Sequence, residues 1–405
     1  MKRNALFLYA LFCMLFVQAQ SRLRVWQSGN DEVVEIAEVG DMVFNGSSVL
    51  IKGVQRQLSA IDSIVVVPRV AITFDNASAK VDVPASVASD IIVSVNGADV
   101  AITNANTENE CEFVLSGTSA DGHLTYNGAY KCTFILDNLN LTSAKGSPLD
   151  IQCGKRVALE LKAGTQNNLV DAASGSQKAC LYCKGHLEIE GSGSLTVTGN
   201  ARHAIASKEY MQLKKNTGSI TIAKAASDAI HAGQYFQMNG GSIAIDGNTV
   251  ADGIQAEAIL LADGKTIDPN EELNGQVILK GGTIKATITH EDCKGIKADT
   301  DVKISGGSIT IDANGNGSRG IQTDGNMHIS EADNATTINI TAAGGLCTQS
   351  ECAADPHRCM GMKIDGNLIV DAGTIVVYNT GKKSRGIKLG GTYTKNGGSV
   401  TADIK

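Results

Sequence analysis

The sequence predicts an all-β chain, most of it a three-sided parallel β-helix with about 25 residues per turn, preceded by a small β module. Three observations carry that expectation. A short phrase, Gly-Ile or a close variant, recurs through the second half of the chain on a fixed beat. Between its copies lie short runs of alternating apolar and polar residues separated by Asp, Gly and Asn, the pattern of half-buried strands joined by tight corners. The composition agrees: 44 Gly among 405 residues, with 42% hydrophobic but only 4% aromatic side chains, suits many short strands better than a ring-filled globular core. Collagen is excluded because the glycines lack a three-residue period. Disorder is excluded by the apolar content, and the net charge of −7 offers no electrostatic footprint for nucleic acid.

The chain opens with Lys2 and Arg3, an apolar run over 5–17, and Val17-Gln18-Ala19. A charged start, a run too short to span a bilayer and a small-x-small site define residues 1–19 as a signal peptide, so the protein reads as periplasmic, cell-surface or extracellular. Cys13 follows Phe12, where a lipoprotein signal needs a small residue. Residues 20–68 hold the only Trp, Trp26, and short strand-like runs near 33–36, 42–44 and 63–67. They read as a β module capping the coil, because an uncapped coil would expose a sheet edge and its apolar interior.

Residues 69–405 read as the coil. The anchor phrase falls at Ala204-Ile205, Ala229-Ile230, Gly253-Ile254, Gly295-Ile296, Gly320-Ile321, Gly361-Met362 and Gly386-Ile387. Most of its steps are about one 25-residue repeat, the period of a solenoid. The two long steps, from Gly253 to Gly295 and from Gly320 to Gly361, fit one turn plus an insertion, near 258–277 and 342–358. Seven residues after the anchor come Met211, Phe236, Val302, Met327, Leu368 and Tyr393, a column of apolar residues expected to stack inside a solenoid. Upstream, strand-like runs near 91–95, 100–104, 111–115, 132–141 and 157–161 continue less regularly. Nine cysteines follow the cleavage site. Cys111, Cys132 and Cys153 are evenly spaced, at slightly less than one repeat. Rungs about 4.8 Å apart permit a disulfide from Cys132 to either neighbour, or a column of buried thiols. The CxxC pair Cys180 and Cys183 lacks a helix signal and reads as structural.

The phrases Ser227-Asp228-Ala229-Ile230-His231-Ala232, Asp252-Gly253-Ile254 and Lys294-Gly295-Ile296-Lys297-Ala298-Asp299, with Asn138-Leu139-Asn140-Leu141-Thr142 and 166–171 upstream, resemble a secreted bacterial carbohydrate-binding family. The resemblance covers roughly residues 70–405. It implies a right-handed parallel β-helix of pectate-lyase-like shape that binds calcium and acidic plant polysaccharide. The N-terminal module also resembles a leader domain of exported Bacteroidetes proteins.

Three columns carry candidate chemistry. Four residues after the anchors stand Glu257, Asp299, Asp324 and Asp365; stacked carboxylates repel, and calcium is one remedy. Asp324-Gly325-Asn326 and Asp365-Gly366-Asn367 are equally ordinary turn sequences. Immediately before the anchors stand His203, Asp228, Asp252, Lys294, Arg319, Met360 and Arg385. These read either as a solvated face of mixed sign or as a calcium carboxylate pair beside cations for uronate groups. Two residues after the anchors, His231, Gln255, Lys297, Gln322, Lys363 and Lys388 form a polar strip suited to an extended sugar chain. Tyr210 and Tyr235 could stack on a sugar ring or simply on each other. The expected function is binding of an acidic, uronate-containing polysaccharide with calcium and without turnover. A calcium-dependent lyase using Lys294, Lys297 or Arg319 as base is the alternative, and a surface scaffold or adhesin the third reading.

Overall fold

The computed structural model describes residues 21–27, 30–35, 42–330, 336–354 and 356–405; the expected signal peptide lies outside them. The chain is all-β, a parallel solenoid of about 12 turns of about 25 residues. The described residues hold two short 3-10 turns, Leu58–Ala60 and Ser350–Cys352, and no α-helix. One face is a 12-stranded sheet running from Ile91–Asn96 to Arg385–Leu389. Its first pair is antiparallel and every later pair parallel. The other two faces merge into one sheet, because strands such as Val302–Ala313 bend around a corner and pair on both sides of it. That corner needs left-handed backbone. Gly282, Gly307 and Gly373 sit there at φ 88°, 94° and 88°, a region that only glycine enters cheaply.

The anchor beat is structural register. Ile205, Ile230, Ile254, Ile296, Ile321, Met362 and Ile387 are successive partners across the first sheet. The seventh-position column also stacks as expected, with Val277 supplying the rung that the first insertion displaces. Apart from Tyr393, which is 37% exposed on the last turn, these columns, with Leu195, Ile220, Ile243, Ile284, Ile309, Ile338 and Ile375 from the third face, are almost wholly buried and form one continuous core. Near its N-terminal end Phe113, Tyr126 and Phe134 interlock with ring centroids 4.8–5.2 Å apart.

The N-terminal residues depart from the expected cap. Strand Ile61–Asp75 passes straight through position 68: its first half pairs antiparallel with Ser21–Gln27, and its second half joins the coil beside Cys111–Ser119. The module has its own small core of Leu23, Val25, Val34, Met42, Val49 and Ile51. It is tied to the side of the first turns by charge, with Arg22 bonded to Glu160 at 2.6 Å and Arg24 to Glu110 at 2.5 Å. Ala79, Val81, Val83 and Val93 pack, partly buried, against the coil's core.

Among the described residues one disulfide forms, Cys347–Cys352, inside the second insertion. Cys111 and Cys132 are register partners, yet both are free and buried, as are Cys153, Cys180, Cys183, Cys293 and Cys359. The column is therefore one of thiols. Burial raises the Cys180 thiol far above its ordinary value and Cys183 to about 12, so the CxxC pair is inert.

Candidate functional site

The outer surface of the 12-stranded sheet carries the candidate site. Anchor residues are small because the coil is tightest there: a Cβ on Gly253 or Gly295 would lie 2.4 or 2.7 Å from the next rung's carbonyl oxygen. Since side chains alternate along a strand, the residue following each buried Ile projects outward. Two positions after the anchor, the register gives one unbroken file: Thr125, Asp150, Tyr182, Ala206, His231, Gln255, Lys297, Gln322, Lys363 and Lys388. The expected strip is brought together, and it continues upstream of His231 through Ala206, Tyr182, Asp150 and Thr125.

The residues before the anchors form something different from a solvated face. His203, Asp228 and Asp252 are buried, at 7%, 5% and 7% exposure, and each faces the backbone N–H of the next rung. Asp228 N lies 3.3 Å from His203 Nδ1, Asp252 N donates to Asp228 Oδ1 at 3.0 Å, and Lys294 N donates to Asp252 Oδ1 at 2.8 Å. The ladder stops where Lys294, which has no acceptor, takes the position. Asp228 is its hub. Its Oδ2 lies 3.2 Å from His203 Nδ1 and 3.0 Å from His231 Nδ1, and the Gln255 amide, oriented to satisfy both neighbours, donates to it at 3.1 Å and accepts from Lys297 Nζ at 3.1 Å. The two imidazoles stack at 4.5 Å, and His231 Nε2 reaches Glu257 Oε2 at 3.2 Å.

Burial opposes the charge on Asp228, but the hydrogen bonds and charges of His203 and His231 outweigh it and hold the carboxyl well below the usual range. Burial likewise disfavours protonated His231, yet Asp228 and Glu257 push it up to about 9. Asp252 has no such compensation: burial raises it, only partly offset by Lys294. A pH dependence follows from linkage. His231 titrates near 9 in the fold against an ordinary 6.5, so its contribution is complete below about pH 6.5 and lost as pH rises through 9. Chemical denaturation of wild type and His231→Gln should therefore differ most near pH 6 and converge toward pH 9.5. A gap that stays constant across that range would contradict the network.

The carboxylate column four residues after the anchors also stacks, and most of its members already meet a neighbouring donor. Lys297 Nζ lies 3.7 Å from Asp299, Gln322 donates to Asp324 at 3.4 Å, and Lys363 donates to Asp365 at 2.7 Å. Asp299 also accepts from Ala258 N at 3.0 Å. Arg319, expected to grip substrate, is 5% exposed and bonded to Asp292 at 2.7 Å. Lys294 Nζ is held by the Asp292 carbonyl at 2.5 Å and lies 3.9 Å from Asp252. Arg385 stands half-buried at the end of its file, paired in register with Met360. Tyr210 stacks on Tyr235 at 4.8 Å and on His186 at 4.4 Å, making a three-ring column, with the Tyr210 hydroxyl on Glu188 at 2.9 Å.

The second insertion builds a wall. Thr348 N and Oγ1 donate to Glu291 at 2.8 Å, and His357 Nδ1 meets Asp292 at 3.0 Å. Between this wall and the sheet lies a groove of about 500 Å³ lined by Asp228, Asp252, Glu257, Glu291 and Asp292 against the cations Arg202 and Lys294. Cys352, near Asp292 and His357, is disulfide-bonded and supplies no thiolate for a metal there. Glu291 and Asp292 were missed in the sequence because they fall in a corner that belongs to no repeated column.

The stacked coil thus presents one long, polar, grooved sheet face. Residues 96–404 match the family described as carbohydrate-binding domain-containing protein, and the chain belongs to that family. A carbohydrate-binding domain-containing protein of Acetivibrio thermocellus is 27% identical over 159 residues, 37% of this chain and 51% of that protein, so the match spans about half of the relative's length. Among solved structures, a polysaccharide lyase-like protein from C. thermocellum, studied as a gadolinium derivative, superposes with a TM-score of 0.50 and 23% identity over 67% of this chain and 96% of that one. The likeness is one of fold.

Proposed function

We propose that this is an exported, non-catalytic module that binds an acidic, uronate-containing polysaccharide along the outer face of the 12-stranded sheet, assisted by calcium. The carrying observation is the in-register file of polar side chains, one per rung, from His231 to Lys388. At about 4.8 Å per rung it offers an extended chain a regular series of polar groups, three of them lysines, beyond His231, whose ring nitrogens are held by Asp228 and Glu257. Exported status rests on the reading of residues 1–19.

Calcium takes six to eight oxygen ligands, which divides the expected metal residues. Asp228 and Asp252 do not suit it, because Asp228 is surrounded by two imidazoles and both carboxylates accept backbone N–H groups. By the same criterion Asp299, which accepts Ala258 N, and Glu257, held by His231, are taken up, and Asp324 and Asp365, exposed oxygen donors on the outer corner of the sheet, are the residues that would hold calcium. The ion would supply positive charge shared between these carboxylates and those of the polymer. Absence of turnover is supported by the cations beside the groove: Lys294 and Arg319 are bound to Asp252 and Asp292, and Lys297 to Gln255 and Asp299. Each is held by a carboxylate rather than left free in the groove.

Retention on immobilised polygalacturonate, reduced by EDTA and restored by calcium, with no unsaturated product absorbing near 235 nm, is the expected result. Lys297→Ala with Lys363→Ala should weaken retention. Release of unsaturated product would establish a lyase, and no retention on any glycan would leave a scaffold.

A further inference from the structure

We infer that the anionic polymer is anchored in a second cleft on the same sheet face, upstream of the polar strip, where Lys178, Lys184 and Lys208 converge over Tyr182. This rests on the reading just given and names where its charge recognition is concentrated.

The cleft, of about 530 Å³, is lined by four lysines, Lys145, Lys178, Lys184 and Lys208, and one carboxylate, Asp150. The downstream groove holds five carboxylates against Arg202, Lys294 and the protonated His231, so the two openings on one face carry opposite net charge. The difference lies in the file at the sheet's corner. Backbone hydrogen bonds place Lys184, Lys208, Gly233, Glu257, Asp299, Asp324 and Asp365 on successive rungs, and the sign changes at Gly233. Upstream of it the file is cationic, downstream acidic.

Pairing sharpens the contrast. Downstream, Lys297, Lys363, Lys294 and Arg319 each already hold a carboxylate within 4 Å. Upstream, Lys145 is bound to Asp99 at 2.6 Å. Lys178 meets the Tyr182 hydroxyl at 3.4 Å and its ring at 5.1 Å, and its charge also acts on Asp150. Among the described residues no carboxylate lies within salt-bridge distance of Lys178, Lys184 or Lys208, and all three are exposed. Asp150 is engaged by Gln152 at 2.7 Å.

The floor is pre-formed. Tyr182 lies in the same outward file as His231 and packs with Ala179 and Ala206 in a small apolar cluster separate from the core. Ala206 leaves the space that a longer side chain would fill. Three exposed ammonium groups with no carboxylate in salt-bridge distance, grouped around a Tyr182 ring that is itself 6% exposed, match the carboxylates along the edge of an anionic sugar chain. A chain seated there continues directly onto His231 and Gln255.

The test is retention and titration of the full chain on polygalacturonate. Lys178→Ala, Lys184→Ala and Lys208→Ala combined should lower affinity about tenfold, the sum of three exposed charge contacts, and flatten its salt dependence. The corresponding triple Arg variant should restore both. These side chains are exposed, and an unchanged unfolding midpoint will show that the fold is kept. Unaltered binding of the triple Ala variant, with Lys297→Ala and Lys363→Ala still weakening it, overturns the anchor site but leaves the proposed function standing. No retention of wild type sinks the proposed function itself. Dextran sulfate and a neutral glucan complete the panel. Loss on dextran sulfate alone would overturn the assignment to carboxylated chains, and loss on both anions supports a site for anionic polysaccharide.

Discussion

Asp228→Ala is expected to destabilise the coil by about 3–5 kcal/mol, the range for removing one partner of a buried charged network. The carboxylate is 5% exposed and serves four groups on three rungs: the Asp252 backbone N–H, His203, His231 and Gln255. Its loss strands a buried N–H and leaves His231 charged beside Glu257 alone. Asp252, already raised by burial, would lose the hydrogen bond that Asp228 accepts from its backbone. Asp228→Asn retains an acceptor for that N–H but no charge for the imidazoles, so its cost should fall between Ala and wild type. Unfolding midpoints in urea order the three proteins. An Ala variant within about 0.5 kcal/mol of wild type, the range of an ordinary surface substitution, would refute the hub. Any loss of polysaccharide binding in Asp228→Ala must therefore be read against its unfolding curve.

How much of this was legible in the sequence depended on what repeats. The anchor phrase, the inner column and the strip from His231 to Lys388 were legible because each recurs once per rung at one spacing. The buried state of Asp228 and Asp252 was not, since a carboxylate accepting an N–H from the next rung has the same sequence signature as one facing solvent. The lysine cleft was hidden for a different reason. Lys208 falls on the repeat, four residues after Ala204, but Lys184 stands on a rung anchored by Leu181, and Lys178 lies in the segment 172–178 that stretches the step from Leu149 to Leu181 beyond the ordinary repeat. Both insertions were visible as long steps, but a step length does not say that the second one folds back onto Glu291 and Asp292. The N-terminal module was legible as β structure. Its seat against the side of the coil depends on pairs separated by 86 and 138 residues, Arg24 to Glu110 and Arg22 to Glu160, which no local pattern encodes.

The anchor glycines set the second large effect. None of Gly253, Gly295, Gly320, Gly361 or Gly386 is at positive φ, so their conformation is open to any residue and the constraint is space alone. A Cβ on Gly320 would stand 2.5 Å from Ile340 Cγ2 and 2.6 Å from Gly361 O. The side chain could rotate, but the carbonyl belongs to the next rung's ladder and cannot yield without spreading the sheet. Overpacking of this kind costs roughly 1–3 kcal/mol, sometimes more, against about 0.4–1 kcal/mol recovered from the stiffer unfolded chain. Gly320→Ala should therefore lose about 2 kcal/mol, and Gly320→Val considerably more. Gly154 supplies the control: a Cβ there meets nothing within 4 Å, so Gly154→Ala should be neutral or slightly stabilising. If Gly320→Ala and Gly154→Ala shift the urea midpoint equally, the recurring glycine is not a packing requirement, and the rung-to-rung closeness that positions the polar strip is not what selects it.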